Sequence, residues 1–325
     1  MTNETLAQYA NLSLYSAMAV FTIAMVCWAL YLAGMVPSRD TAAVREAELV
    51  GAGGTGSAVS AGGAPGAGAA AADDAVPQRA RTAAGIGGTT TWLGGLLLLL
   101  AVVLRGLSVH RWPLGNMFEF AVMGSMFTVL AFCLWSTRRD LRWLGLFVTA
   151  PVLLVLGMAV TVWYTEAAEL LPSLRSYWLV IHVTVATLAV AVFTIACAVT
   201  CAYLLRDTLQ RAGRASLLDR FPAAPTMERL AYGLHIVAFP LWTFTVIAGA
   251  IWARQAWGSY WNWDPKEVWT FVIWVVYAAY LHARATSGVS RQVVSYVALA
   301  GYACIIINYA VVNVFFVSQH SYSGL

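Results

Sequence analysis

The chain has 325 residues, of which 60% are hydrophobic and only 10% are charged. This composition excludes an ordinary water-soluble domain, and the formal net charge of +4 comes from basic residues between apolar runs, so it predicts no binding of nucleic acid. The apolar runs are about 20 residues long, which is the length an α-helix needs to cross a bilayer. The sequence therefore predicts an all-α, polytopic integral membrane helix bundle surrounded by lipid.

Eight transmembrane helices are predicted, in chain order 12–34, 88–108, 116–136, 143–163, 178–205, 229–252, 266–283 and 293–317. The first lies in an N-terminal segment, 1–35, that we expect to be retained rather than cleaved as a signal peptide. Residues 36–87 are rich in Gly and Ala and predict a flexible cytoplasmic linker. Residues 88–325 then form the main membrane domain.

The basic residues predict the orientation, because cytoplasmic loops of membrane proteins collect Lys and Arg. Most of the 19 Lys and Arg residues lie between alternate predicted helices, in the segments 35–87, 137–142, 206–229 and 284–292. Both termini and the loop at 253–265 are therefore predicted to be extracytoplasmic. The predicted location is the plasma membrane, with a multi-pass topology.

The loop at 253–265 is the most informative segment, since three tryptophans and a tyrosine fall within seven residues of it. An interfacial aromatic belt explains one or two tryptophans, but it does not explain this cluster. Asp264 followed by Pro265 is typical of a helix start. We expect a broad aromatic surface for a flat apolar ligand. Its predicted members are Trp257, Gly258, Tyr260, Trp261, Trp263, Asp264 and Pro265.

Two of the five histidines lie at the depth of the tryptophan loop. His182 is near the outer end of the fifth predicted helix, and His320 follows the outer end of the eighth. Neutral imidazoles from separate helices can bind one haem iron from opposite faces, so this pair is the first candidate for axial ligation of haem b. Hydrogen bonding to neighbouring helices is the alternative. His110, beside Arg111, is expected to be a solvated interfacial residue.

Two other histidines lie towards the inner surface. His282 ends the seventh predicted helix, about 24 Å from the tryptophan loop by helical rise, so it belongs to a different site. His235 lies about two turns into the sixth predicted helix from the same inner side. Either His235 and His282 bind a second haem together, or His282 pairs with a ligand from another subunit and His235 is structural.

Three charged residues are predicted near the outer site. Glu119 lies one turn into the third predicted helix, where a buried carboxylate is costly and often marks a site. Arg254 and Lys266 flank the tryptophan loop. Cations at this position are suited to the propionates of a haem, although a purely structural role is the alternative for all three residues.

These residues resemble the haem-handling proteins with a tryptophan-rich WWD signature, and among them the CcsA (ResC) family of system II cytochrome c biogenesis. The likeness covers most of residues 105–325, and its motifs stand at Trp257-Gly258, Trp261, Trp263-Asp264-Pro265-Lys266-Glu267 and Tyr280-Leu281-His282, with further matches at Glu119, His182 and His320. His235 departs from the family pattern.

The resemblance implies that His182 and His320 bind haem at the outer site, and that His282 binds haem inside the membrane. It implies that the tryptophan loop presents haem b for thioether attachment to the Cys-x-x-Cys-His motif of apocytochrome c. It also implies a companion membrane subunit of the CcsB (ResB) type. The chain would then be a component of a cytochrome c haem lyase, or synthase, with no catalytic side chain of its own.

Two other functions remain open at this point. One is a haem exporter that performs no attachment chemistry, and the other is a dihaem b-type electron-transfer subunit. A haem exporter would have the same outer and inner haem sites. The electron-transfer subunit predicts paired histidines at both depths and leaves the tryptophan cluster without a purpose.

Overall fold

A computed structural model describes residues 3–35, 76–170, 174–214 and 216–320. These ranges contain helices and no strands, and eight helices are long and apolar enough to cross a membrane, which confirms the predicted all-α class. The helices are α1 (Glu4–Gly34), α2 (Gln78–Ser108), α3 (Met117–Ser136), α4 (Gly145–Thr161), α5 (Tyr177–Arg211), α6 (Ala224–Trp257), α7 (Pro265–Ala285) and α8 (Arg291–Ile306).

Short elements extend two of these helices, and another lies between two helices. A 3-10 turn, Arg142–Leu144, leads into α4, and another, Leu217–Arg220, lies between α5 and α6. At the end of the bundle that carries the tryptophan loop (the outer end), α8 widens into a π-helical turn, Ile307–Val312, and then closes with one more helical turn, Asn313–Phe315. The described chain ends five residues later, at His320.

Two helices begin much earlier than the hydropathy predicts, and α6 also begins five residues early, at Ala224 instead of residue 229. The first starts at Glu4 instead of residue 12, where Asn3 caps it by accepting a hydrogen bond from the main-chain N–H of Leu6 at 3.1 Å. The second starts at Gln78 instead of residue 88, so residues 78–87, which were expected in the linker, form its first turns. The Gly/Ala-rich stretch from 36 to 75 lies outside the described residues.

Helices α1 and α2 form an antiparallel pair. At one end the N–H of Asn3 donates to the carbonyl of Ser108 at 2.8 Å, and at the other Gly34 lies against Ala80. Between the ends, the glycines of α2 let large rings of α1 approach closely, as when Gly94 receives Phe21. Small residues have this role in membranes because lipid provides little hydrophobic drive for helix association.

The remaining helices surround a cavity. Helix α3 is the most buried of the eight and packs against α2, α4 and α5. Helix α5 runs beside α6, and α7 and α8 pack together at the far side. A second buried cluster, around Phe193, Trp242 and Tyr277, joins α5 to α6 and α7. These contacts fix the outer ends of α3 and α5–α8 around the site described below.

Helix packing through glycine can be tested in α2. A Cβ atom at Gly94 would lie 2.6 Å from Cε1 of the buried Phe21, whereas one at Gly88 would meet no atom within 4 Å. We expect Gly94→Ala to destabilise the detergent-purified protein by about 1–3 kcal/mol through overpacking. Gly88→Ala is the matched control, and equal thermal unfolding temperatures for the two variants would contradict the proposed packing.

Candidate functional site

A cavity of about 500 Å³ lies among the outer halves of α3–α8. Its volume is within the range of sites for small molecules and cofactors, which is about 300–1,000 Å³. The lining is mainly apolar and aromatic, as expected for a flat apolar ligand. Six of its rings come from near the outer surface: Trp163, Trp252, Trp257, Tyr260, Trp261 and Tyr309.

His182 lines this cavity from α5. Its Nδ1 is 3.0 Å from the carbonyl oxygen of Thr245 in α6, so Nδ1–H is the donor. A neutral imidazole that donates from Nδ1 carries its lone pair on Nε2. Gly249 leaves room for the ring, since a Cβ there would lie 2.7 Å from Cε1 of His182. The edge of Trp252 completes the pocket, with ring centroids 5.7 Å apart.

His320 lines the same cavity from the chain that follows α8. Its Nδ1 is 3.0 Å from Oδ1 of Asp264, and its ring packs edge-on against Trp257 at 4.6 Å between centroids. Burial raises the pKa of Asp264, but hydrogen bonds from His320 and from the N–H groups of Gln319 and Lys266 outweigh burial and hold that pKa below its usual value. The ionised carboxylate therefore accepts the Nδ1 proton, which again assigns the lone pair to Nε2.

The structure thus brings together the two histidines that the sequence paired. They come from elements far apart in the chain, yet both line one cavity. Each is oriented through Nδ1 by a protein oxygen, an arrangement common in metal-binding histidines. The cavity is therefore lined by two oriented imidazoles from separate elements.

The tryptophan loop divides into two parts. Trp257, Tyr260 and Trp261 line the cavity, whereas Trp263 is turned away from it, with 76% of its surface exposed. Gly258 ends α6 with φ +80°, a left-handed conformation that glycine adopts without strain. The remaining two predicted members, Asp264 and Pro265, start α7.

Glu267 shapes this loop, although no role was predicted for it from the sequence. Its Oε2 accepts from the N–H groups of Asn262 at 2.8 Å and Asp264 at 3.2 Å. The residue between them, Trp263, has φ +57°, an unusual value for a residue with a side chain. The Asp264-x-x-Glu267 spacing forms a capping box, a sequence signal that predicts this contact.

The two basic residues beside the loop have different positions. Lys266 lines the cavity, and its Nζ donates to the carbonyl of Asn308 at 2.9 Å. Arg254 does not line the cavity. Its guanidinium donates to the carbonyl of Gly258 and so supports the turn at the end of α6.

Glu119 is also outside the cavity lining and belongs to a buried ion cluster. Its carboxylate accepts from Nε of Arg105 at 2.8 Å, from Nη1 of Arg111 at 2.9 Å and from the N–H of Gly115 at 2.7 Å. The two guanidinium groups also donate to the carbonyls of Thr165 and Ala168. The cluster therefore ties the loop after α2 to the loop after α4, which favours the structural role for Glu119.

The inner histidines are not joined within the described ranges by any hydrogen bond or ring contact. His235 is buried, donates from Nδ1 to the carbonyl of Ala231 at 2.7 Å and packs against Tyr280, with centroids 4.5 Å apart. His282 is exposed near the inner end of α7. His235 therefore has the environment of a packed core histidine, and His282 has that of a surface histidine.

Fold and cavity define a multi-span helical membrane protein with a histidine- and tryptophan-lined site near one surface. The family model described as "Cytochrome C assembly protein" matches residues 112–320. The curated relatives include "Cytochrome c biogenesis protein CcsA" of Guillardia theta, 31% identical over 74% of this chain and 86% of that protein. The protein of the same name from Synechococcus sp. (strain RCC307) is 34% identical over 70% and 81%. The chain belongs to the CcsA family.

A solved structure supports the same fold. The chain superimposes on "Cytochrome c Heme Lyase CcmF" with a TM-score of 0.60 and 16% sequence identity. The match covers 95% of this chain and 47% of that one, so the whole of this bundle corresponds to about half of the larger protein.

The structural role of the ion cluster at Glu119 can be tested without a ligand. Glu119→Gln leaves the buried guanidinium groups of Arg105 and Arg111 without a counter-charge, and we expect a destabilisation of about 3–5 kcal/mol. Limited proteolysis should then cleave the loop at 162–170 more rapidly. Glu169→Gln is the control, because Glu169 pairs with Arg175 at the exposed surface. Equal cleavage of the two variants would exclude this role for the cluster.

Proposed function

We propose that this chain is the haem-handling subunit of a cytochrome c synthase of the system II type. It binds haem b in the cavity beside the tryptophan loop, on the extracytoplasmic side of the plasma membrane, and presents it to apocytochrome c. The observation that carries this proposal is that His182 and His320 line one cavity, each with Nδ1 bound to a protein oxygen. In both, Nε2 carries the lone pair and would be the atom that binds iron.

The lining residues fit the shape and polarity of a porphyrin. Trp257, Tyr260 and Trp261 offer flat apolar surfaces, and the cavity volume suits a cofactor-sized ligand. A haem supplies vinyl groups, to which two cysteine thiols add with formation of thioether bonds and no net oxidation. The chain contributes orientation and exclusion of water, so the reaction is accelerated by proximity and needs no nucleophilic side chain from this subunit.

A second haem position is proposed at His282. This histidine is exposed near the inner end of α7, whereas His235 is buried and already bonded to Ala231. Those environments favour a second ligand from another chain, a CcsB-type membrane subunit, over the pair His235 and His282. Haem would then enter from the inner half of the bundle and leave through the outer cavity.

The axial ligands are tested by absorption spectroscopy of the detergent-purified complex. His182→Ala and His320→Ala, each in a His282→Ala background, should lose the six-coordinate low-spin spectrum of the outer haem. Free imidazole should restore it, since the substitution leaves a space of the same shape. His110→Ala is the control, because His110 lies outside the cavity lining. An unchanged low-spin spectrum in either variant would refute the assignment of that histidine.

Gly249 tests the position of His182 without removing it. The close approach of Gly249 to the imidazole predicts that Gly249→Ala displaces the ring and weakens its hydrogen bond to Thr245. We expect haem affinity at the outer site to fall at least about tenfold, since one axial bond is misaligned. Gly233→Ala, on the same helix and with no atom within 4 Å of the added Cβ, is the control. Haem titration of both variants should show normal affinity for Gly233→Ala alone.

A further inference from the structure

One part of the cavity wall, the polar end, carries two buried amide groups. Asn308 and Asn313 line it from the outer part of α8, and both are more than nine-tenths buried. Within the described residues, Oδ1 of each asparagine has no hydrogen-bond partner. A buried amide oxygen left without a donor destabilises the fold by about 1–3 kcal/mol. Two such atoms at one cavity wall indicate a ligand that supplies the missing contacts.

The π-helical turn explains why both asparagines face the cavity. Residues five apart on an α-helix differ by about 140° in direction, so Asn308 and Asn313 would point to different sides. The wider i→i+5 turn rotates about 80° per residue, which brings them to within about 40° of each other. Asn308 lies within the turn at Ile307–Val312, and Asn313 follows it directly. Such turns are frequent at functional sites.

A hydrogen-bond ring fixes the polar end. Nζ of Lys266 donates to the carbonyl of Asn308 at 2.9 Å, and Oγ1 of Thr270 donates to the carbonyl of Lys266 at 2.7 Å. Since the Thr270 hydroxyl proton is used there, its oxygen accepts from Nδ2 of Asn308 at 3.2 Å. The amide of Asn308 is thereby oriented with Oδ1 as an acceptor. The ammonium of Lys266 carries two further protons that it can donate.

We propose that Lys266, Asn308 and Asn313 bind a carboxyl group of the ligand in this cavity. A carboxyl oxygen accepts from the Lys266 ammonium, and the O–H of the protonated group donates to an asparagine amide oxygen. The proposal rests on the proposed function for the identity of the ligand, a porphyrin with propionate side chains. It adds that the cavity selects porphyrins with free acid groups and orients them with the acid edge towards the π-turn.

The test uses protoporphyrin IX without iron, and its dimethyl ester, as probes. Their binding to the detergent-purified full chain is followed by porphyrin fluorescence. The wild type should bind the free acid at least about tenfold more tightly than the ester, because the ester lacks the O–H that donates to an asparagine amide oxygen. Asn308→Leu and Asn313→Leu should each reduce binding of the acid towards that of the ester and leave the ester unaffected. Lys266→Met should weaken binding of both probes, because an ester carbonyl oxygen can also accept from the ammonium.

Two further variants are controls for charge and folding. Lys266→Arg should keep the preference for the acid, since it retains the positive charge. Arg254→Met should also keep it, because Arg254 lies beside the same loop but outside the cavity lining. If a variant lost the preference for the acid only because the loop was disturbed, the Arg254→Met variant should lose that preference as well.

Equal affinity of the wild type for acid and ester, or no binding of either, would overturn the proposal. So would a preference that survives in both asparagine variants. These outcomes are independent of the axial ligands, because the probes contain no iron. A preserved low-spin haem spectrum in the histidine variants, together with a clear preference for the acid, would refute the histidine assignment and leave the carboxyl site standing.

Discussion

The carboxylate of Asp264 is the contact on which the outer end of the molecule depends. It caps α7 by accepting from the N–H of Lys266, and it also accepts from the N–H of Gln319 and from the His320 ring. One ionised group therefore joins the tryptophan loop to the chain that follows α8. Without it, the His320 ring would lose the hydrogen bond that orients it beside Trp257. Because three donors surround the carboxylate, it remains charged in a poorly hydrated place.

The bilayer imposes the second constraint, since polar groups inside it must find partners within the protein. The helices satisfy this rule locally: the hydroxyls of Thr128, Thr149 and Thr200 each donate to the carbonyl four residues earlier. The buried ion cluster at Glu119 obeys it through three donors. Several exceptions occur together at the cavity, where buried polar atoms of Trp252, Glu267, Asn308 and Asn313 have no partner in the described chain. Four such residues therefore share the cavity wall, whereas the buried polar atoms of Trp143, Trp178 and Tyr277 that have no partner in the described chain lie elsewhere.

Hydropathy and charge alone were enough to predict the eight helices and their order, because span length and apolar composition are local properties of the sequence. The helix starts at Glu4 and Gln78 were missed, since capping by Asn3 and packing of Ala80 against α1 extend each helix beyond its apolar stretch. The outer histidine pair was predicted from depth. The roles of Gly249 and the two asparagines were not, because they depend on contacts between helices and on a π-turn that no periodicity in the sequence indicates.

Under the proposed function, the two outer histidines are unequal ligands. His320 donates to a carboxylate, which increases electron density on Nε2 and strengthens its bond to iron, whereas His182 donates to a neutral carbonyl. His182 lies on a helix, and its ring is held against α6 at Thr245 and Gly249. A haem in this cavity would therefore have one stronger ligand on a loop and one weaker ligand on a helix. Exchange for the histidine of an incoming apocytochrome would cost less at the weaker bond, so displacement of His182 would be favoured.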